Sequence, residues 1–197
     1  MEGAYQFGSK FDPTLLHDDR ALAATRDIDA FGVNSSVSYL FNDSLSNQAS
    51  LVFEYLSGDN PHTGKDEMFD VLWGRWPRWS ELYIYSYPNE TSGKIAQWNN
   101  LLRCGPSWNL VPLKDTTFST TYNALFAPEA KPTREMVTTL FPTRGGNFRG
   151  HYLQAVLKHK FNSHISAHLW SEFVWMGDYY VHRDQMTFLR AEVALAF

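Results

Sequence analysis

The chain has 197 residues, a formal net charge of -4 and a single cysteine, Cys104. That length suffices for one domain with a real core, and an acidic balance without any basic cluster argues against a nucleic-acid partner. One cysteine excludes an intramolecular disulfide and a cysteine-rich zinc site, though not zinc held by histidines and carboxylates.

Period-two alternation recurs along the chain and predicts antiparallel strands. Ala4 to Phe11 sets Tyr5 and Phe7 against Gln6 and Lys10. Phe31 to Phe41 sets Phe31, Val33, Val37, Tyr39 and Phe41 against Gly32, Asn34, Ser36 and Ser38. Ala49 to Tyr55 sets Leu51 and Phe53 against Ser50 and Glu54. A weaker segment, Ile95 to Leu110, sets Trp98, Leu102 and Cys104 against Gln97, Asn99 and Arg103. Thr116 to Phe126 sets Phe118, Tyr122, Ala124 and Phe126 against Thr117, Ser119, Thr121 and Asn123. Tyr152 to Phe161 sets Leu153, Ala155 and Leu157 against Gln154, Lys158 and Lys160. Ile165 to Trp175 sets Leu169, Phe173 and Trp175 against Ser166, His168 and Glu172. Met186 to Phe197 sets Thr187, Leu189, Ala191, Val193, Leu195 and Phe197 against Arg190 and Glu192. These make eight strands; a short helical turn fits only within Pro77 to Tyr87 or Ala21 to Arg26.

The connections alternate in length. Asn42 to Asn47, Val111 to Asp115 and Asn162 to His164 are short; Asp12 to Asp27, Ser57 to Lys94, Pro128 to Gly150 and Gly177 to Gln185 are longer. Outer-membrane barrels carry short periplasmic turns and long external loops. Aromatic content is 16%, and Phe173 and Trp175 near a loop, with Tyr39, Phe41, Phe161 and Phe197 near the turns, fit two interfacial girdles. No apolar run approaches the ~20 residues of a spanning helix, whereas a barrel strand needs only about 9–11 alternating residues. The fold expected is therefore all-β, an antiparallel transmembrane β-barrel. Its last strand runs from outside to the periplasm and ends at Phe197.

The longest connection reads Phe53-Glu54-Tyr55-Leu56-Ser57-Gly58-Asp59-Asn60, then Gly64-Lys65-Asp66-Glu67, then Gly74-Arg75-Trp76-Pro77-Arg78-Trp79-Ser80-Glu81-Leu82-Tyr83. With the downstream Trp98-Asn99-Asn100-Leu101 and the closing strand, it resembles the alginate-export family of outer-membrane porins over most of the chain from about Gly3 on. The resemblance implies a barrel of about eighteen strands, so residues 1–197 read as the carboxy-terminal part of a single barrel domain. The absence of a leader-like segment at the amino terminus fits that reading. A closed barrel of only eight strands would be filled by side chains and would conduct nothing.

The resemblance also implies a location in the bacterial outer membrane and passage of an anionic polysaccharide, or of small anions, through a basic lumen. On the inward faces the sequence offers Arg103, Lys158, Lys160, His168 and Arg190 as cations, with Glu54, Glu172 and Glu192 as counter-charges. Cations in a pore favour anion entry, and arginine grips carboxylates with two parallel bonds. Arg75 and Arg78 are placed to fold inward and constrict the pore. Each of these also suits an ion-paired or solvated lumen residue. The expected partners are outer-membrane lipid, the barrel-assembly machinery through the strand ending at Phe197, and the anionic polymer. No nucleic acid and no cofactor is expected.

Asp59, Asp66, Glu67 and Asp70 offer a weak calcium set whose spacing fits no EF-hand, and the scattered histidines show no zinc pattern. No nucleophile or dinucleotide motif is present, so no enzyme is expected. Two other readings stay open. One is a barrel enzyme or adhesin, with Ser166 and His168 the nearest approach to a catalytic pair. The other is a soluble β-barrel ligand binder, which would turn its apolar face inward.

Overall fold

In the computed structural model, residues 1–11, 25–70, 79–82, 99–130 and 145–197 are described. They form one eight-stranded sheet: β1 (Glu2–Phe11), β2 (Thr25–Leu40), β3 (Gln48–Leu56), β4 (Leu101–Leu113), β5 (Thr116–Phe126), β6 (Phe148–Lys160), β7 (Ile165–Met176) and β8 (Gln185–Leu195). Spatial order equals chain order and every strand pairing is antiparallel. The sheet is not closed: β1 pairs only with β2, and β8 only with β7. Among the described residues no helix is long and apolar enough to cross a membrane, which says nothing of strands.

Several strand ends differ from the sequence expectation. β2 starts at Thr25, not Phe31, because Asp27 and Asp29 interrupt the apolar alternation while their backbones still pair with Ser9 and Phe7. Asp29 is held there by the Tyr5 hydroxyl at 2.8 Å and Lys65 at 2.5 Å. Thr25 and Arg26 are therefore strand, not helical turn. β4 starts at Leu101, and Trp98 lies outside the described residues. β6 starts at Phe148, within the segment read as loop, through a register shift at Leu125/Phe126 on its partner β5. Gly150 permits that shift: its φ is 145°, and a Cβ there would sit 2.3 Å from the Trp175 carbonyl oxygen. β8 stops at Leu195, and Ala196 is held instead by its amide donating to the His164 carbonyl at 2.9 Å.

The connections separate by length as expected. Residues 41–47, Lys114–Asp115 and 161–164 join strands at one end; 12–24, 57–100, 127–147 and 177–184 join them at the other. Asn42 and Asp115 take positive φ angles of 54° and 61° in the short turns, a conformation that Asn and Asp tolerate better than most residues. In the first turn the Asp43 carboxylate accepts from the Leu45 and Asn47 amides at 3.2 and 3.0 Å.

The two faces of the sheet differ. One carries Tyr39, Leu51, Leu189 and Val193, which are 67%, 65%, 68% and 67% exposed. The other carries the charged residues and, toward the long-loop end, an apolar patch the alternation did not suggest. There Leu56, Leu101, Leu125, Tyr152 and Val174 form a core with Leu82 from the long connection. Phe69 of the same connection packs over Gly32, where a Cβ would lie 3.0 Å from its ring. The core therefore sits on the charged face, between the sheet and a folded-in loop. Burying a Leu or Phe side chain in such a place gains about 1.5–3 kcal/mol.

Candidate functional site

Strand register gathers the eight strand-borne charges predicted from sequence onto one face. Glu54 faces Arg103 across β3 and β4, and the Arg103 Nε donates to the Glu54 Oε2 at 2.9 Å. Lys158, His168 and Glu192 form one row across β6, β7 and β8. Lys160 faces Ser166, Gln154 faces Glu172, and Trp170 faces Arg190. Arg75 and Arg78 lie outside the described residues.

Arg103 is buried, with its guanidinium 4.7 Å from the centre of the Trp79 ring. Arg190 pairs with Glu81 at 3.1 Å, lies 3.9 Å from Glu192, and stands 5.4 Å from the Trp170 ring centre. Its Nε approaches the His168 Nε2 at 3.3 Å, and His168 lies 3.8 Å from Glu192. Both arginines are thus engaged by carboxylates and aromatic faces. Lys158 and Lys160, near the short-turn end, are exposed, and no described residue pairs with either side chain.

The centre of the site is Glu172, fully buried on β7. Its carboxylate accepts from the Ser80 hydroxyl at 2.7 Å and the Glu81 and Leu82 amides at 2.8 and 2.9 Å. Trp170 Nε1 donates at 2.5 Å and Gln154 Nε2 at 3.3 Å. The Trp79 carbonyl accepts from the Tyr152 hydroxyl at 2.9 Å and from Gln154 at 2.7 Å. A buried carboxylate is tolerable only when its lone pairs are filled; here the strand wall and residues 79–82 of the long connection fill them together. The same carboxylate takes free amides at the start of a helical turn, where negative charge is favoured. The result is a loop segment clamped across the charged face by hydrogen bonds, by the Arg190–Glu81 pair and by Leu82 in the core.

The acidic residues of the long connection do a different job from metal binding. Asp59 takes Arg26 in a two-pronged pair at 3.2 Å and the Glu67 amide at 3.1 Å. Asp66 pairs with Lys10, and its backbone bridges β2 through Asp27 and Asp29. Glu67 accepts from Thr63 and from the Asn60 amide, and the Asp70 amide donates to Gln6. Asp59, Asp66, Glu67 and Asp70 are therefore not brought together as a ligand set, and no group of three or more His, Cys, Asp or Glu among the described residues has metal-site geometry. Burial raises the Asp59 carboxyl above its usual range, with the Glu67 amide and Arg26 pulling the other way. Burial also raises Glu129, helped by the nearby charges of Glu67 and Asp59.

The residues that sequence reading missed are Trp79, Ser80, Glu81 and Leu82, with Tyr152, Gln154 and Trp170 as their wall partners. Ser80-Glu81 has the composition of a helix start, which marks where a turn begins but not what it docks against. Ser166 and His168 share a face, as expected, but His168 is turned to Arg190 and Glu192. A groove of about 690 Å³ opens on the apolar face, lined by Val37, Tyr39, Leu51, Pro106, Trp108 and Tyr122 among others; it is away from the charged cluster.

The sheet, its loop asymmetry and its two-faced strands describe a membrane barrel wall, and the family model for alginate export matches residues 1–193. The chain belongs to the alginate export family. That is a transport family, of outer-membrane β-barrel porins of Gram-negative bacteria that export polysaccharide. A comparison with curated proteins returns no match. Membership accounts for the exposure of the apolar face along the full sheet, the reverse of what a soluble ligand-binding barrel would show.

Proposed function

We propose that this chain forms the carboxy-terminal wall of a single, larger barrel whose lumen passes an anionic polysaccharide of the alginate kind. Its charged face lines that lumen and its apolar face meets outer-membrane lipid. The observation that carries this reading is the register itself. Arg103, Lys158, Lys160, His168 and Arg190 share one face with Glu54, Glu172 and Glu192, opposite an exposed apolar face. The segment Trp79–Leu82 serves as the constriction, with Arg75 and Arg78 just before it in sequence. The last strand, with Phe197 beyond it, is the segment that the barrel-assembly machinery would read.

Planar-bilayer recording of the full-length barrel, of which this chain forms the carboxy-terminal wall, tests the reading. The wild-type protein should conduct with a preference for anions. Arg103→Ala and Arg190→Ala should each weaken that preference, because each leaves an uncompensated carboxylate in the lumen. Unchanged selectivity in both variants would remove these residues from the pathway, and a protein that inserts but passes no current would remove the pore.

A further inference from the structure

The cations on the charged face are not equivalent along the strand axis. Toward the long-loop end Lys10 is taken by Asp66, Arg26 by Asp59 and Arg103 by Glu54, while Arg149 is buried against Tyr179 and Tyr180. Arg190, farther along, is taken by Glu81. Toward the short-turn end the order reverses. Lys158 and Lys160 are exposed and no described residue pairs with either. They stand two residues apart on β6, about 7 Å along the strand. Their cross-strand neighbours are Thr117 and His168 for Lys158, and Ser166 for Lys160, whose backbone amide also donates to the Asp115 carbonyl at 2.9 Å; no described carboxylate pairs with either ammonium. The nearest carboxylate in the row, Glu192, already faces His168 and Arg190.

We infer that Lys158 and Lys160 form the capture site for the polymer's carboxylates at the short-turn mouth, with Thr117 and Ser166 offering hydrogen bonds to its hydroxyls. Among the described residues, an ammonium without a carboxylate partner can bind an incoming anion without first breaking an internal ion pair. Two cations in line suit a chain bearing a carboxylate on successive sugars better than they suit a single small anion. The short-turn end of an outer-membrane barrel is its periplasmic end, so capture there precedes the clamped segment on the way out. Farther along, each carboxylate must compete with Glu81 or Glu54, and the polymer passes from free cations to occupied ones. This inference rests on the reading of the charged face as a pore lining.

The test is equilibrium binding of a short, fluorescently labelled alginate oligosaccharide to the detergent-purified protein, with a neutral glucan oligomer as control. Lys158→Gln combined with Lys160→Gln should weaken alginate binding by about tenfold, the scale of two exposed ion pairs. Lys158→Arg with Lys160→Arg should restore it, and Lys65→Gln, at the opposite end, should leave it unchanged. Wild-type binding should weaken with added salt, and the neutral oligomer should not discriminate among the variants. Equal affinity in the double Gln variant and the wild type would overturn the assignment, as would equal loss in Lys65→Gln. Because bilayer current is read separately, a protein that conducts anions but binds equally well without the two lysines keeps the pore and loses this site. A retained heat-modifiable β-rich band shows that the variants fold.

Discussion

Glu172 is the residue on which most of the site converges. Replacing it with Ala would strand the Ser80 hydroxyl and the Glu81 and Leu82 amides beside a cavity. The expected cost is about 2–4 kcal/mol in denaturant unfolding. Limited proteolysis or hydrogen exchange should show residues 79–82 released while the strands stay protected, and bilayer recording should show a larger conductance. Protection of 79–82 equal to wild type would mean that Leu82 and Trp79 hold the segment without the carboxylate. A second prediction concerns Gly105, where a Cβ would lie 2.0 Å from the Tyr122 carbonyl oxygen. Gly105→Ala forces β4 and β5 apart, and a loss of about 1–3 kcal/mol is expected; a neutral result would show that the pair slides to accept it. The strand-borne charges were legible in the sequence as a set on one sheet face, because alternation alone assigns a face. Their pairing was not, since which carboxylate meets Arg103 or Arg190 depends on register and on a distant loop.

At the scale of the element, the first short turn is held by one carboxylate. Hydrogen bonds from the Asn47 side chain, then its backbone, pull the Asp43 carboxyl below the usual range. A group whose pKa is depressed on folding contributes stability above its unfolded value, and that stability is lost as pH falls through the folded value. The Asn47 side-chain amide resonance should therefore shift as the pH is taken below the ordinary carboxylate range, and Asp43→Ala should abolish that titration. A titration that persists in the variant would assign it to another group. Eight strands and the division of loops into short and long were legible, because period two and turn residues are local signals. The start of β2 was hidden by Asp27 and Asp29, which protrude past the apolar band and read as loop. The start of β6 was hidden by the register shift at Gly150, which breaks the alternation the reading depends on. The apolar patch of Leu56, Leu101 and Leu125 was not read from the sequence for a related reason: each stands at or next to a strand end, where one more residue does not establish a period.

At the scale of the whole molecule, the exposed apolar face predicts partition into detergent micelles, and a monodisperse species in plain buffer would contradict the membrane assignment. Trp108, whose indole nitrogen donates to Asn47 at 3.0 Å beside the first turn, should be quenched most by lipids brominated near the headgroup. Quenching strongest from the chain terminus would place the turns at the wrong depth. The clamp has a further consequence, for the order of events in assembly. Strands pair only with their sequence neighbours, so each hairpin can form once its own residues are together, at small entropic cost. The contact between Ser80 and Glu172 spans 92 residues and needs β7 in place before it has an acceptor. The wall must therefore precede the segment that docks on it: on the proposed reading, a nascent pore is open first and narrows only when the seventh strand delivers its carboxylate to a loop made long before.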